Sequence, residues 1–177
     1  MTELEKLRYP VGRFTPPTGN LKEDRAACID ILRHAPERLR AAVLGLSPAQ
    51  LDTPYRDGGW TVRQVVHHLA DSHAYAYLRF KHALTEDWPT IKAYNESDWA
   101  NLADSRTLPV DISLVMLTGI HGRLVGVLES LSDADFERGF THPERGKVTV
   151  ATNLAIYAWH ARHHTAHITS LRARQGW

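Results

Sequence analysis

The sequence predicts an all-α protein, a four-helix bundle with a long crossover between its second and third helices. Three observations lead there. Four long segments repeat apolar residues at the period of an amphipathic helix. Almost none of the chain alternates apolar with polar residues as a half-buried strand would. With 177 residues at 43% hydrophobic content, the chain can bury one core, so a single domain over residues 1–177 is expected.

Residues 1–20 are rich in Pro, Gly and Thr ("YPVGRFTPPTGN") and predict an extended N-terminal arm on the surface. From Leu21, helical spacing runs through Cys28, Ile31, Leu32, Leu39, Ala42, Val43 and Leu46. Pro36 lies inside this first helix. Proline removes a backbone donor and crowds the preceding turn, so a kink or break is expected there. "SPAQLDTPYRDGGW" is a turn-rich connection that Gly58-Gly59 punctuates. The second helix has a well-marked start: Thr61 as cap, Gln64 completing a capping box, and Trp60 and Val65 at staple spacing. It runs to about Thr85 without Gly or Pro.

"EDWPTIKAYNESDWANLADSRTLP" has no clean period and reads as the crossover, with a helical turn around Ser97 to Leu102. A connection this long is more often functional than idle. "DISLVMLTGIHGRLVGVLESL" is the third helix. Gly119, Gly122 and Gly126 weaken it by ~1 kcal/mol each relative to Ala, and their spacing suggests a face where another helix comes close. "SDADFERGFTHPERGKVT" reads as a loop. Val150 to Gln175 is the fourth helix, ended by Gly176.

Composition excludes several classes. Twenty-one basic residues against twenty acidic ones give a net charge of +1, and no two Lys or Arg are adjacent, which argues against nucleic acid or an anionic membrane as main partner. The single cysteine, Cys28, excludes an internal disulfide and a zinc site built from cysteines. The N-terminus lacks the apolar segment of a signal peptide, and no apolar run approaches the ~20 residues that span a bilayer. A soluble, cytoplasmic protein is expected.

Four of the eleven histidines fall within "YAWHARHHTAHI": His160, His163, His164 and His167. On an ideal helix they occupy one sector about 100° wide, continued by Asn153, Ile156, Tyr157 and Leu171, so the face should point into the bundle. His160/His164 and His163/His167 each stand one turn apart, the spacing at which two imidazoles converge on one ion. A site with an open position needs a third ligand, and the second helix offers "VVHHLADSH". There His67 points away from the apolar stripe, His68 lies near its edge and His73 inside it, leaving His68 or His73.

"PYRDGGWTVRQVVHHLADSH", "YAWHARHHTAHI" and the terminal "GW" together resemble the YfiT branch of the DinB-like superfamily, over nearly the whole chain. The resemblance implies a four-helix bundle, commonly dimeric, holding one divalent metal with three histidines and water. One family ligand lies eight residues after the tryptophan that opens the second helix, which falls on His68. The other two form the H-x-x-x-H pair of the last helix, His160 and His164. His163, His167, His73 and His121 remain candidates to support the ligands or touch substrate.

Three neutral imidazoles suit zinc or nickel. An ion with an open position lowers the pKa of a bound water or holds a thiolate. Branch members are described as metal-dependent hydrolases, and Asp71 or Asp57 could then act as general base. The wider superfamily includes bacillithiol-dependent S-transferases. Transfer of a low-molecular-weight thiol to an electrophile is favoured here, because a thiolate needs no separate base. Trp88, Tyr94 and Trp99 on the crossover could cover the electrophile. A third possibility is a metal-stabilised helical module without catalysis. The partners expected are a small-molecule substrate and a second copy of the chain.

Overall fold

A computed structural model of the chain describes residues 2–16 and 22–177. Its long helices are α2 (Lys22–Val43), α4 (Val62–Thr85), α7 (Val110–Glu129) and α9 (Val150–Gln175). Short helices fill the connections: α1 (Glu3–Arg8), α3 (Pro48–Leu51), α5 (Glu96–Ala100), α6 (Ala103–Thr107) and α8 (Asp133–Glu137). A hairpin of β1 (Gly139–His142) and β2 (Gly146–Thr149) precedes α9. The bundle's four sides are α2–α9, α9–α4, α4–α7 and α7–α2. Consecutive long helices, α2 with α4 and α7 with α9, therefore lie across diagonals. The connection from α4 to α7 is the long crossover expected.

Helix starts follow the caps. Thr61 accepts from the Gln64 backbone while the Gln64 side chain accepts from Thr61 N, so both members of the capping box are made. Gln64 Nε2 also donates to the Ala100 carbonyl at 2.8 Å, tying the start of α4 to α5. At the other end of the chain, Gly176 takes the left-handed conformation that closes α9.

Four expectations are corrected. The arm is not extended throughout: Thr2 and Glu5 form a capping box that starts α1, while residues 17–20 lie outside the described residues. Of the kink or break expected at Pro36, the break does not occur: α2 runs on through it. Leu32, Ala35 and Leu39 are buried on either side of it, and this packing holds the helix together across the missing backbone bond. The segment before α9 is not an irregular loop: Ser132 caps α8, and Phe140 pairs with Val148 in the hairpin, both facing the core. Each strand carries too few apolar residues for an alternation to show. Finally, no other helix closes on the α7 glycines, since a Cβ at Gly119, Gly122 or Gly126 would meet nothing within 4 Å.

α7 also departs from the membrane expectation by length and composition, with a window of mean hydropathy 1.4. Its inner face, with Leu114, Leu117, Leu124 and Leu128, packs between α2 and α4 as a bundle helix does. Its outer face leaves Ile112, Val115 and Met116 exposed.

The core is divided. One apolar cluster holds Leu32, Phe80, Leu124, Leu128, Phe140 and Leu154, and the other Leu39, Val65, Leu69, Leu114, Ile168 and Leu171. On α4, α7 and α9 alike, the stretch between the clusters carries buried histidines: His73, His121, and His163, His164 and His167.

Candidate metal centre

Three histidine rings converge from two helices. His68 of α4 stands 3.2 Å from His160 of α9, Nε2 to Nε2, and the potential ligand atoms of His68, His160 and His164 all lie within 4.8 Å of one another. His160 and His164 are one turn apart on α9, with ring centroids 4.5 Å apart. The Trp60 ring packs against His68 at 4.6 Å and His164 at 6.2 Å, so the tryptophan preceding the α4 cap becomes one wall of the site.

Burial makes these imidazoles suitable ligands. It pushes His68 down to about 4 and holds His160 and His164 well below the ordinary imidazole value, with neighbouring histidines adding to the effect. All three are neutral at pH 7, the form in which histidine offers a lone pair. Two Nε2 atoms at 3.2 Å in a buried setting suit a shared cation, as does the all-nitrogen donor set. The residues present therefore fit a divalent metal.

The three rings open onto a cavity of about 680 Å³. Trp60, Phe140 and Tyr157 give it apolar wall, whereas Arg79, Arg145, Glu96 and Glu144 give it charge of both signs. Tyr94 lines it too, packed against Trp99 at 4.4 Å. Burial raises the Tyr94 phenol, so it stays protonated as a donor.

The other predicted residues take different places. His67 is buried, but both its nitrogens are engaged away from the site, Nδ1 with Ser113 Oγ at 2.7 Å and Nε2 with the Leu108 carbonyl at 3.1 Å. His73 is fully buried behind His160, its Nε2 3.2 Å from His160 Nδ1, and His121 lies behind His73 at 2.9 Å. His163 and His167 form a second group with His164, under the arm. Asp71 is raised to about 6 by burial and then by Asp104, and neither it nor Asp57 lines the cavity. Trp99 supports Tyr94 and Tyr75 and does not itself line the cavity. Trp88 packs where a Cβ on Gly139 would meet its ring at 2.7 Å, so it fastens the hairpin.

Sequence reasoning missed Arg79, Arg145, Glu96, Glu144 and His142 in the cavity wall. A signal existed for Arg79, which continues the face of His68 and Ser72 at helical spacing along α4. Arg145 and His142 stand on the hairpin that was expected to be a loop.

Comparison with known proteins places the chain by family and fold. The sequence profile of the DinB superfamily matches residues 31–168. Relatives from Bacillus mycoides and Bacillus cereus, both named "Putative metal-dependent hydrolase", are 53% identical over 98% of this chain and 100% of their own length. The solved structure of YfiT from Bacillus subtilis, described as "a probable metal-dependent hydrolase with an unusual four-helix bundle topology", superposes with a TM-score of 0.94. It is 48% identical and covers 97% of this chain and 99% of its own. A second solved four-helix bundle protein, at 20% identity and a TM-score of 0.55, covers 86% of this chain and shares the fold.

Proposed function

The chain belongs to the DinB superfamily, and from that premise we propose that it is a metal-dependent enzyme joining a low-molecular-weight thiol to an electrophilic substrate. His68, His160 and His164 would hold the metal. When bound, zinc or nickel supplies a positive charge that favours the thiolate or acidifies water. The observation that carries the choice is the mixed charge of the cavity wall, where Arg79 and Arg145 stand with Glu96 and Glu144. The two predicted bases, Asp71 and Asp57, stand outside the cavity, and a thiolate needs no base at the moment of attack.

The chain's own residues do the rest. Arg79 and Arg145 attract a carboxylate, and Glu96 and Glu144 an ammonium, so the walls suit a thiol that carries both groups. Tyr94 donates to the electrophile or its leaving group, while Trp60, Phe140 and Tyr157 keep water away. Sulfur bonds to the electrophilic centre, the leaving group departs with its electron pair, and the thiol proton passes to solvent.

Hydrolysis is the second reading, favoured by the names of the relatives and by Glu96 and Glu144 as cavity carboxylates. A panel of thiols with monochlorobimane, run beside esters, amides and lactones on zinc-, nickel- and manganese-loaded protein, separates the two. Metal-dependent conjugation lost in His160→Ala and His164→Ala is expected. Hydrolysis with no thiol requirement would replace this reading with the second. We also propose a homodimer through the outer face of α7, where Ile112, Val115 and Met116 are 54%, 66% and 43% exposed. Light scattering should give twice 20.0 kDa, and a monomer mass would rule the dimer out.

A further inference from the structure

We propose that the metal-facing lone pairs of His160 and His164 are set from behind by two chains of imidazoles. Each chain ends on a main-chain carbonyl that a helix irregularity leaves free. His121 and His73 are then positioning residues for His160, and His167 for His164. The inference rests on the reading of His68, His160 and His164 as ligands.

The first chain starts at Leu32. Its carbonyl accepts and cannot donate, so the proton of His121 sits on Nδ1, pointing at Leu32 O. A neutral imidazole has one N–H, which leaves His121 Nε2 bare to accept from His73 Nδ1 at 2.9 Å. His73 Nε2 is then bare and accepts from His160 Nδ1 at 3.2 Å. His160 Nε2 keeps only its lone pair, on the side where His68 Nε2 stands. One acceptor at the far wall of the bundle thus fixes three rings in series. His73 and His121 are 0% and 2% exposed, so water does not compete for their nitrogens.

Leu32 is available because of Pro36. In a regular helix the Leu32 carbonyl would accept from the N–H four residues on, and Pro36 has none. The second chain begins at the carbonyl of Arg8, the last residue of α1, where a helix end leaves carbonyls unpaired. His167 Nε2 donates to it at 3.2 Å, so His167 Nδ1 accepts from His164 Nδ1 at 3.3 Å and His164 Nε2 is bare. Among the described residues no hydrogen bond engages His68 Nδ1, so the third ligand alone is free to choose its tautomer. Ligand histidines are generally oriented through their second nitrogen. Here that contact is another histidine rather than a carboxylate.

Long-range ¹H–¹⁵N correlation on histidine-labelled protein reads the tautomers directly. In both metal-free and zinc-loaded protein, His160, His164, His73 and His121 should carry the proton on Nδ1, and His167 on Nε2. Finding His160 or His164 protonated on Nε2 in the metal-free protein would overturn the proposal. Affinity gives a second test, by competition with a chromophoric zinc chelator. His121→Gln and His73→Gln can still donate one way and accept the other, and should keep zinc within about 3-fold of wild type, whereas His121→Leu and His73→Leu should weaken it by about 10- to 100-fold. Leu variants as tight as wild type, or Gln variants as weak as the Leu ones, would show that these rings only fill space. If a Leu variant does not fold, the wild-type spectra and the Gln variants decide. Failure of the ligand reading looks different: His160→Ala and His164→Ala would then retain stoichiometric zinc, whatever the tautomers.

Discussion

Two histidine groups stand side by side and share His164 of α9, yet their surroundings differ. In both His68/His160/His164 and His163/His164/His167 the potential ligand atoms lie within 4.8 Å, and burial keeps the rings neutral. The first opens on the 680 Å³ cavity, and within it His68 and His160 bring their Nε2 atoms together at 3.2 Å. The second is closed by the arm. Its His167 has one nitrogen on the Arg8 carbonyl and the other on His164, and is stacked on Tyr55 at 4.0 Å. His163 is stacked on Trp159 at 4.4 Å, its Nδ1 buried and without a partner among the described residues. Proximity of nitrogens is therefore insufficient. On the ligand set proposed above, what distinguishes the coordinating group is free lone pairs beside open volume.

The largest test of this contrast is metal retention. Alanine at His68, His160 or His164 should abolish stoichiometric metal after dialysis, a loss of at least ~100-fold in affinity, whereas His163→Ala and His67→Ala should retain one ion per chain. Retention in His68→Ala would move the third ligand elsewhere, with His73 the next choice.

Acid should separate the groups next. His68 and His163 are lowered to about 4 and His167 to about 3, all by burial first. The folded protein thus binds fewer protons than the unfolded chain from the ordinary value of 6.5 down to those values. Stability is whole above that window and falls as pH drops through it. Thermal melts of metal-free protein between pH 7 and 4 should show a steep decline, and zinc should protect only while the first group holds it. A flat profile would mean that the rings are solvated.

Pro36→Ala probes the far end of the His160 chain. Supplying an N–H to Leu32 should raise stability by about 1–3 kcal/mol, measured by urea unfolding. Because two donors then share one carbonyl, zinc affinity should fall about 2- to 5-fold. The two changes have opposite signs, which distinguishes this from a general loosening. The smallest effect concerns His163. His163→Phe keeps an aromatic ring between Tyr9 and Trp159 and removes an unpartnered polar atom. It should be neutral or stabilising by about 1 kcal/mol, with metal content unchanged. A loss of metal would return His163 to the site.

Much of this was legible in the chain itself. The Thr61–Gln64 box marks α4 because its signal is local, and one histidine face on α9 follows from spacing alone. The choice between His68 and His73 was open on the helical wheel for a physical reason: both rings point inward, one to the cavity and one to the back of His160. Pro36 was legible as an interruption but not as a free carbonyl, because its beneficiary, His121, is far away in sequence. The α8 turn and the hairpin stayed hidden because each carries little apolar pattern, and their shape is set by packing on the core and on Trp88.

The layer of imidazoles between the two apolar clusters also bears on how the molecule comes apart. Each cluster is built from segments of the same long helices, and with only neutral, weakly bonded rings between them the two halves are expected to open separately. On the proposed ligand set, an ion shared by α4 and α9 would act as a rivet through that seam. Metal-free protein should therefore show two classes of amide hydrogen exchange, one for each half of the bundle, and zinc should merge them into one.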